Sequence, residues 1–413
     1  MENNKYDIVL FGATSFVGKL TAAYLLEKYG YNNDLKWAIA GRDAKKLENL
    51  LFTLGCAELP IIIADSFDEE SLLNMAAQTK VICTTVGPYS LYGSLLVKAC
   101  ISSGTNYCDL TGETAWMRLM IDEHHEIAKE KKIKIVHNCG FDSIPSDLGV
   151  FILQHEINKR WGMYATKIKN YVTSLKGSLS GGTYLSMRNQ LDLSKTDPAF
   201  AKMMGNTYLL NPDPNYDGPI TPNIQKMNFD TQIQSWIVPF IMGGINMRVV
   251  RRSHALLGYP YGETFIYQEV MATGGGLKGR IAGLKMMLTL GLLVLGKPNG
   301  IVNKLIGLIM PKPGEGPSAA AIKNGYYQFE LYGTTTDGHN MQLILKGEGD
   351  PGYGSTSKML AESAVCIAKD EKETPDRFGV LTPSIALGSA LLNRLKENAG
   401  LSFQISEKQI GVR

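Results

Sequence analysis

The sequence predicts an α/β protein: a doubly wound parallel sheet over roughly the first 150 residues, then a second α+β domain containing an antiparallel sheet. Three observations carry this reading. Short apolar runs alternate with helix-period segments from Tyr6 to His137, as strands buried on both faces between covering helices should. A glycine-bounded junction, Gly12 to Gly18, separates the first run from the first helical segment. After about Val150 the alternation stops, and period-two segments joined by an Asp-Gly turn take over.

In chain order, Tyr6–Phe11 is the first predicted strand and Phe16–Lys28 the first helix, with Val17, Leu20 and Tyr24 on one stripe. Strands are expected at Lys36–Ala40, Pro60–Ala64 and Val81–Val86, with helices at Asp43–Leu54, Asp68–Gln78 and Ser94–Ser103 between and after them. Strands Tyr107–Leu110 and Ile133–His137 flank a helix over Thr114–Lys131. In the second half, Lys167–Lys176, Glu263–Ala272, Gly325–Thr334 and Asn340–Gly347 read as strands. Tyr327, Phe329 and Leu331 share one face, opposite Met341, Leu343 and Leu345. Helices over Ser357–Ala368 and Pro383–Leu395 are expected to return onto the first domain. The five prolines of Asp197–Pro222 predict an irregular loop or lid. The resulting division is 1–150, 151–350 and 351–413.

The 413 residues suffice for two to three domains of about 150, and 44% hydrophobic content places the chain among packed globular proteins. A formal charge of +3 gives no global basis for nucleic-acid binding. The six cysteines contain no Cys-x-x-Cys pair and read as buried apolar residues, not metal ligands. The polar Met1–Lys5 start predicts no signal peptide, and no apolar stretch is long enough to span a bilayer. The expected location is cytoplasmic, peripheral to a membrane at most.

Gly12-Ala13-Thr14-Ser15-Phe16-Val17-Gly18 sits between strand and helix, where a dinucleotide-binding turn brings backbone N–H groups to a pyrophosphate. The outer glycines are present; Ser15 stands where a middle glycine is usual. At the end of the second strand an NAD enzyme carries an acidic residue for the ribose 2′-hydroxyl. This chain has Arg42, with Lys45 and Lys46 beyond it, which favours the 2′-phosphate of NADP(H). Asp43 stands as a rival, either a helix cap or a ribose ligand. Asp65 after the third strand and Thr85, Val86, Gly87, Pro88 and Tyr89 after the fourth complete the candidate cofactor set.

The stretches GATSFVG, AGRDAKKL, TTVGPYSLYG, YCDLTGE, HNCGFDSIPSDLG, PGYGSTSKMLAESA and GVLTPSIALG span nearly the whole chain. Together they resemble the saccharopine dehydrogenase-like oxidoreductases, nearest the branch of the trans-acting enoyl reductases of bacterial lipid synthesis. The resemblance implies a Rossmann-type NADP(H) domain and reduction of an enoyl group on a lipid-linked or thioester substrate. An imine or amino-acid dehydrogenase, and a non-catalytic NADP-bound scaffold at lipid, are the alternatives. It also implies that Gly140-Phe141-Asp142 lies near substrate.

Polar groups expected at strand ends supply the catalytic candidates: Tyr107, Asp109, Glu113 and Asp142, with His137, Ser143 and Asp147 beside them. Asp142 and Asp147 read equally as caps of a helix beginning near Pro145, and Tyr107 and His137 as core residues. No metal-ligand spacing and no nucleophile elbow is present.

Val270 to Gly314 holds six basic residues and no acidic one. Its apolar runs on either side of Lys297-Pro298-Asn299-Gly300 predict a helical hairpin over 277–312. That hairpin is expected to lie on an anionic membrane or cover an acyl channel, or else to be buried or form a homodimer interface. Arg248, Arg251 and Arg252 are a candidate site for phosphopantetheine or an acyl carrier protein.

Overall fold

A computed structural model describes residues 4–177, 181–213, 215–219, 225–295 and 316–408. The first sheet contains β1 (Tyr6–Phe11), β2 (Trp37–Gly41), β3 (Ile61–Ile63), β4 (Thr79–Thr84), β5 (Asn106–Cys108), β6 (Lys134–Val136) and, from far downstream, β13 (Gly379–Leu381). Its order is β13-β6-β5-β4-β1-β2-β3, parallel throughout. The order reverses between β1 and β4, and the crevice at such a switch point is where ligands bind in open α/β sheets.

Helices cover both faces: α1 (Phe16–Tyr29), α2 (Ala44–Leu54), α3 (Glu69–Ala76), α4 (Tyr89–Tyr92), α5 (Ser94–Ser103) and α6 (Thr114–Glu130). Local chemistry sets their ends. Ser15 caps α1 through the Gly18 N–H, and Asp43 caps α2 through the Lys46 N–H. Gly55 and Gly104 close α2 and α5 in the left-handed conformation. Every residue of β1 and β2 is buried, which is why neither strand alternates in polarity.

α7 (Ile144–Trp161) leads into the second sheet. That sheet contains β7 (Lys167–Lys176), β8 (Asn228–Asp230), β9 (Ser235–Pro239), β10 (Ile266–Gly274), β11 (Tyr326–Thr334), β12 (Asn340–Glu348) and β14 (Leu401–Glu407), in the order β14-β12-β11-β7-β10-β9-β8. Its pairings are antiparallel except that of β7 with β10. α7 packs on β11 and β12, with Gly149 so close that an added Cβ would stand 3.1 Å from Leu331. Ile8, Leu10, Leu148, Leu331, Leu343 and Leu360 belong to one continuous core joining both sheets.

Several expectations are revised. The irregular stretch expected over Asp197–Pro222 is found only beyond residue 205, where described residues 206–213 and 215–219 form no helix or strand. Its start differs: Pro198 is the first residue of α9 (Pro198–Gly205), which follows α8 (Gly181–Thr196), and the Asp197 carboxylate accepts from Ala199 and Phe200 N–H. Proline fits a helix start because its missing N–H is unneeded there. α10 (Gly243–Leu256) is a helix whose apolar pattern is interrupted by arginines that turn out to be inside. The segment after residue 351 is not only helical: α13 (Thr356–Lys369) and α14 (Pro383–Asn398) pack together and on the first domain, but β13 completes the first sheet and β14 the second. α11 (Gly276–Leu295) is the first helix of the expected hairpin; the second lies outside the described residues. α12 (Ala319–Lys323) then leads into β11. All six cysteines are free and buried.

Candidate nucleotide and substrate site

The switch point is built from glycines that cannot be replaced without a clash. Gly12 has φ +83°, and a Cβ there would approach Val86 Cγ2 to 2.7 Å. A Cβ on Gly18 would collide with the Gly12 carbonyl oxygen and lie 2.9 Å from Ala13 Cα. Ser15 does what a middle glycine does not: its hydroxyl accepts from Gly18 N–H and shares a 2.9 Å hydrogen bond with Thr85 Oγ1, which also donates to the Gly12 carbonyl. The loops after β1 and β4 are thereby locked together. A helix's first turn leaves N–H groups without intrahelical acceptors; Ser15 takes that of Gly18, leaving those of Phe16 and Val17 to a diphosphate. The residues present fit a bound dinucleotide.

Arg42 is exposed at the carboxyl end of β2 and has no ion pair among the described residues. Asp43 is occupied as the α2 cap, so the arginine, not the aspartate, is the group free to meet the ribose substituent. Asp65 follows β3 and accepts from Phe67 N–H, shaping the turn it was expected to serve from. Arg42→Ala should weaken NADPH roughly 10- to 150-fold, the cost of one charge-assisted bond, and leave NADH nearly unchanged. A binding titration with both cofactors checks this; equal losses would exclude the 2′-phosphate contact.

Beyond β4 the chain passes a cis Gly87-Pro88 bond into α4. Tyr89 is not open to a cofactor: it is buried against Trp116, and its hydroxyl donates to the Thr84 carbonyl and accepts from Leu110 N–H. Glu113 is likewise committed. Its two oxygens accept from Tyr89 N–H at 2.8 Å and Ser90 N–H at 3.1 Å, and Ser186 of α8 donates to the same carboxylate.

Tyr107, Asp109 and His137 form one buried unit. Asp109 Oδ2 accepts from the Tyr107 hydroxyl at 2.8 Å and lies 2.7 Å from His137 Nδ1, while Oδ1 accepts from Thr111 and Asn138 N–H. Asn138, at φ +62°, returns a side-chain bond to the Thr111 carbonyl. Asp109 thus ties the loops after β5 and β6 to each other. Neither Tyr107 nor Asp109 has exposed surface, so both hold the site instead of entering it.

Asp142 differs from these. It is partly exposed, and its carboxylate faces Gly112 and Gly140, where a Cβ would come within 3.9 Å and 3.3 Å of its oxygens. Burial, and more weakly the Asp109 charge, push its carboxyl up to about 7. It does not cap α7. Asp147 does not either: it accepts from Ser253 at 2.5 Å and from Ser384 N–H at 2.8 Å, tying α7 to α10 and to the start of α14, and burial lifts it to about 6. Of the predicted carboxylates, Asp142 alone combines access with an acid poised near neutrality.

Downstream residues complete the wall. Thr356 accepts from Phe141 N–H, and Tyr353 sets its ring 4.9 Å from Phe16 and accepts from Gly181 N–H. Ser143 donates to Asn246, which donates to Glu269, itself bonded to Tyr267. These partners lie more than 100 residues from the loops they steady, so strand-end reasoning misses them; only the Pro351-to-Ala364 stretch carried a sequence signal. The α10 arginines, expected to meet a carrier or phosphopantetheine, are engaged by carbonyls of the chain itself. Arg251 and Arg252 are buried and donate to the carbonyls of Thr207, Leu210 and Val380, while Arg248 bonds those of Asn206, Gly244 and Met204.

A profile of the saccharopine dehydrogenase NADP binding domain matches residues 8–136. A provisionally named trans-acting enoyl reductase of Mycobacterium tuberculosis is 40% identical over 420 residues, 97% of either chain. The trans-acting enoyl reductase of Mycobacterium leprae is 34% identical over 406 residues, 95% of this chain and 96% of its own. Among solved structures, the apo histidine-tagged saccharopine dehydrogenase (L-Glu forming) of Saccharomyces cerevisiae shares the fold. Its TM-score is 0.54 over 98% of this chain and 100% of that one, at 14% identity.

Proposed function

The chain belongs to the saccharopine dehydrogenase-like oxidoreductases, in the branch of the trans-acting enoyl reductases, and from that premise we propose that it reduces the carbon–carbon double bond of an enoyl group on a lipid-linked or thioester substrate in lipid or glycolipid synthesis. It is an NADP-dependent oxidoreductase. Bound NADPH supplies a hydride, and addition across the double bond then needs one proton at the carbon next to the carbonyl.

The observation that carries the reading is Asp142, a partly exposed carboxyl held near pH 7 at the carboxyl edge of the first sheet. In that state it gives its proton to the developing enolate and, being partly exposed, regains one from water. Asp109 holds the loops on either side of it, and Glu113 holds the α4 turn. The arginines speak against an amino-acid substrate. Recognition of carboxylates wants free guanidinium groups, whereas Arg118, Arg248, Arg251 and Arg252 are bonded to main-chain carbonyls.

Purified protein given NADPH and a 2-enoyl thioester should consume both and yield the saturated acyl product by mass spectrometry. A pair of amine and carbonyl compound able to form an imine should leave NADPH untouched. The opposite pattern would overturn the enoyl reading in favour of imine reduction.

A further inference from the structure

α11 carries an apolar stripe that the other described residues leave exposed. Leu277, Ile281, Leu284, Leu288 and Leu292 are each between 45% and 71% exposed. At 100° per residue they fall within an arc of about 80°. The opposite face is committed to the protein: Gly279 and Gly283 sit against the second sheet, the Gly279 carbonyl accepts from Thr273, and a Cβ at Gly283 would stand 2.6 Å from Met227 Sδ. Small residues let the helix lie close, so its leucines are turned outward by construction.

Charge decides what covers them. Arg280 flanks the stripe on one side and Lys278 and Lys285 on the other, all exposed, and none has an ion pair among the described residues. From Val270 to Leu295 there is no acidic residue. At the N-terminal end, Trp236 donates its indole N–H to the Gly276 carbonyl, lies under Arg280 and touches exposed Phe229. A second copy docked two-fold through α11 would set these basic residues against their own counterparts, with no acid between Val270 and Leu295 to answer them. An apolar arc bordered by cations, with aromatic rings at its end, is the form of a helix lying in a lipid interface. Among the described residues no helix is long and apolar enough to cross a membrane.

We propose that α11 docks the protein on an anionic lipid surface, its leucine stripe among the acyl chains and Lys278, Arg280 and Lys285 at the headgroups. This does not depend on the enoyl chemistry, since binding is read without turnover.

Flotation with vesicles of one part phosphatidylglycerol to two parts phosphatidylcholine tests it. The wild type should float, less so in phosphatidylcholine alone and less as salt rises. Lys278→Ala with Lys285→Ala should weaken binding about 30-fold, and Leu284→Glu with Leu288→Glu at least ~10-fold. NADPH binding should be retained in both; if the glutamate pair loses it, the lysine pair decides. A wild type that stays below the vesicles, or variants that float equally well, overturn the proposal. So does a wild-type dimer in sedimentation that the glutamate pair dissociates, because the stripe then belongs to a second copy.

Discussion

Asp142→Asn should lower the rate of enoyl reduction about 10²- to 10⁴-fold, the usual contribution of a positioned general acid, while NADPH binding stays within a few-fold of wild type. The amide keeps the shape and cannot deliver the proton. The pH profile gives a second readout. The wild-type carboxyl, at about 7, is protonated below that value, so its rate should fall as pH rises through it; the residual rate of the variant should lack that limb. Stability should move too. A carboxyl raised in the folded state above its unfolded value of about 3.9 stabilises fully below the unfolded value, and this contribution is lost as pH rises through about 7. The variant should therefore lose part of the wild-type decline between pH 4 and 7. Stopped-flow rates and denaturation midpoints across that range test both statements. A variant with wild-type turnover would remove Asp142 from the chemistry.

Glu362→Ala should cost about 3–5 kcal/mol of stability, the range for removing one partner of a buried charge pair. Glu362 has no exposed surface. One oxygen accepts from both Tyr24 and Tyr29 of α1 at 2.6 Å, and the other faces Arg394 at 3.3 Å and Asn398. Removing it takes the short acceptor from both hydroxyls, leaving Tyr24 only the Asn398 carbonyl at 3.3 Å, and leaves Arg394 with Asp370 and the Tyr29 hydroxyl. Because α1 carries the Ser15 turn, NADPH affinity should fall along with the denaturation midpoint. Glu362→Gln keeps an acceptor for the tyrosines and should lose less. Chemical denaturation of both variants decides; a loss under about 1 kcal/mol for the alanine would show that the network is dispensable.

The nucleotide half was legible because its signals are local. Gly12 and Gly18 flank one turn, Asp43 and Asp68 cap the helices that follow them, and β1 runs apolar from Ile8 to Phe11. The resemblance rested on motifs that lie, in the folded chain, at this same sheet edge. What escaped was set by distant partners. Glu113 and Tyr89 looked like free polar groups until their donors appeared from other loops. Arg251 and Arg252 read as a surface patch, because nothing nearby in sequence announces the carbonyls that hold them inside. β13 is three residues long and adds no periodicity of its own; only its parallel pairing with β6 makes it a strand.

That late strand has a consequence for how the chain is made. β1 to β6 leave the ribosome in sequence, but the strand that seals the β6 edge follows about 240 residues later. At 5–20 residues per second the wait is roughly ten to fifty seconds. Throughout it, the backbone of Lys134–Val136 is an unpaired parallel edge. The Lys134 ammonium, which in the finished protein donates to Thr374 and to the carbonyls of Pro375 and Ala386, has none of those acceptors yet. The nucleotide-binding sheet therefore reaches its final form only when synthesis has passed the second sheet.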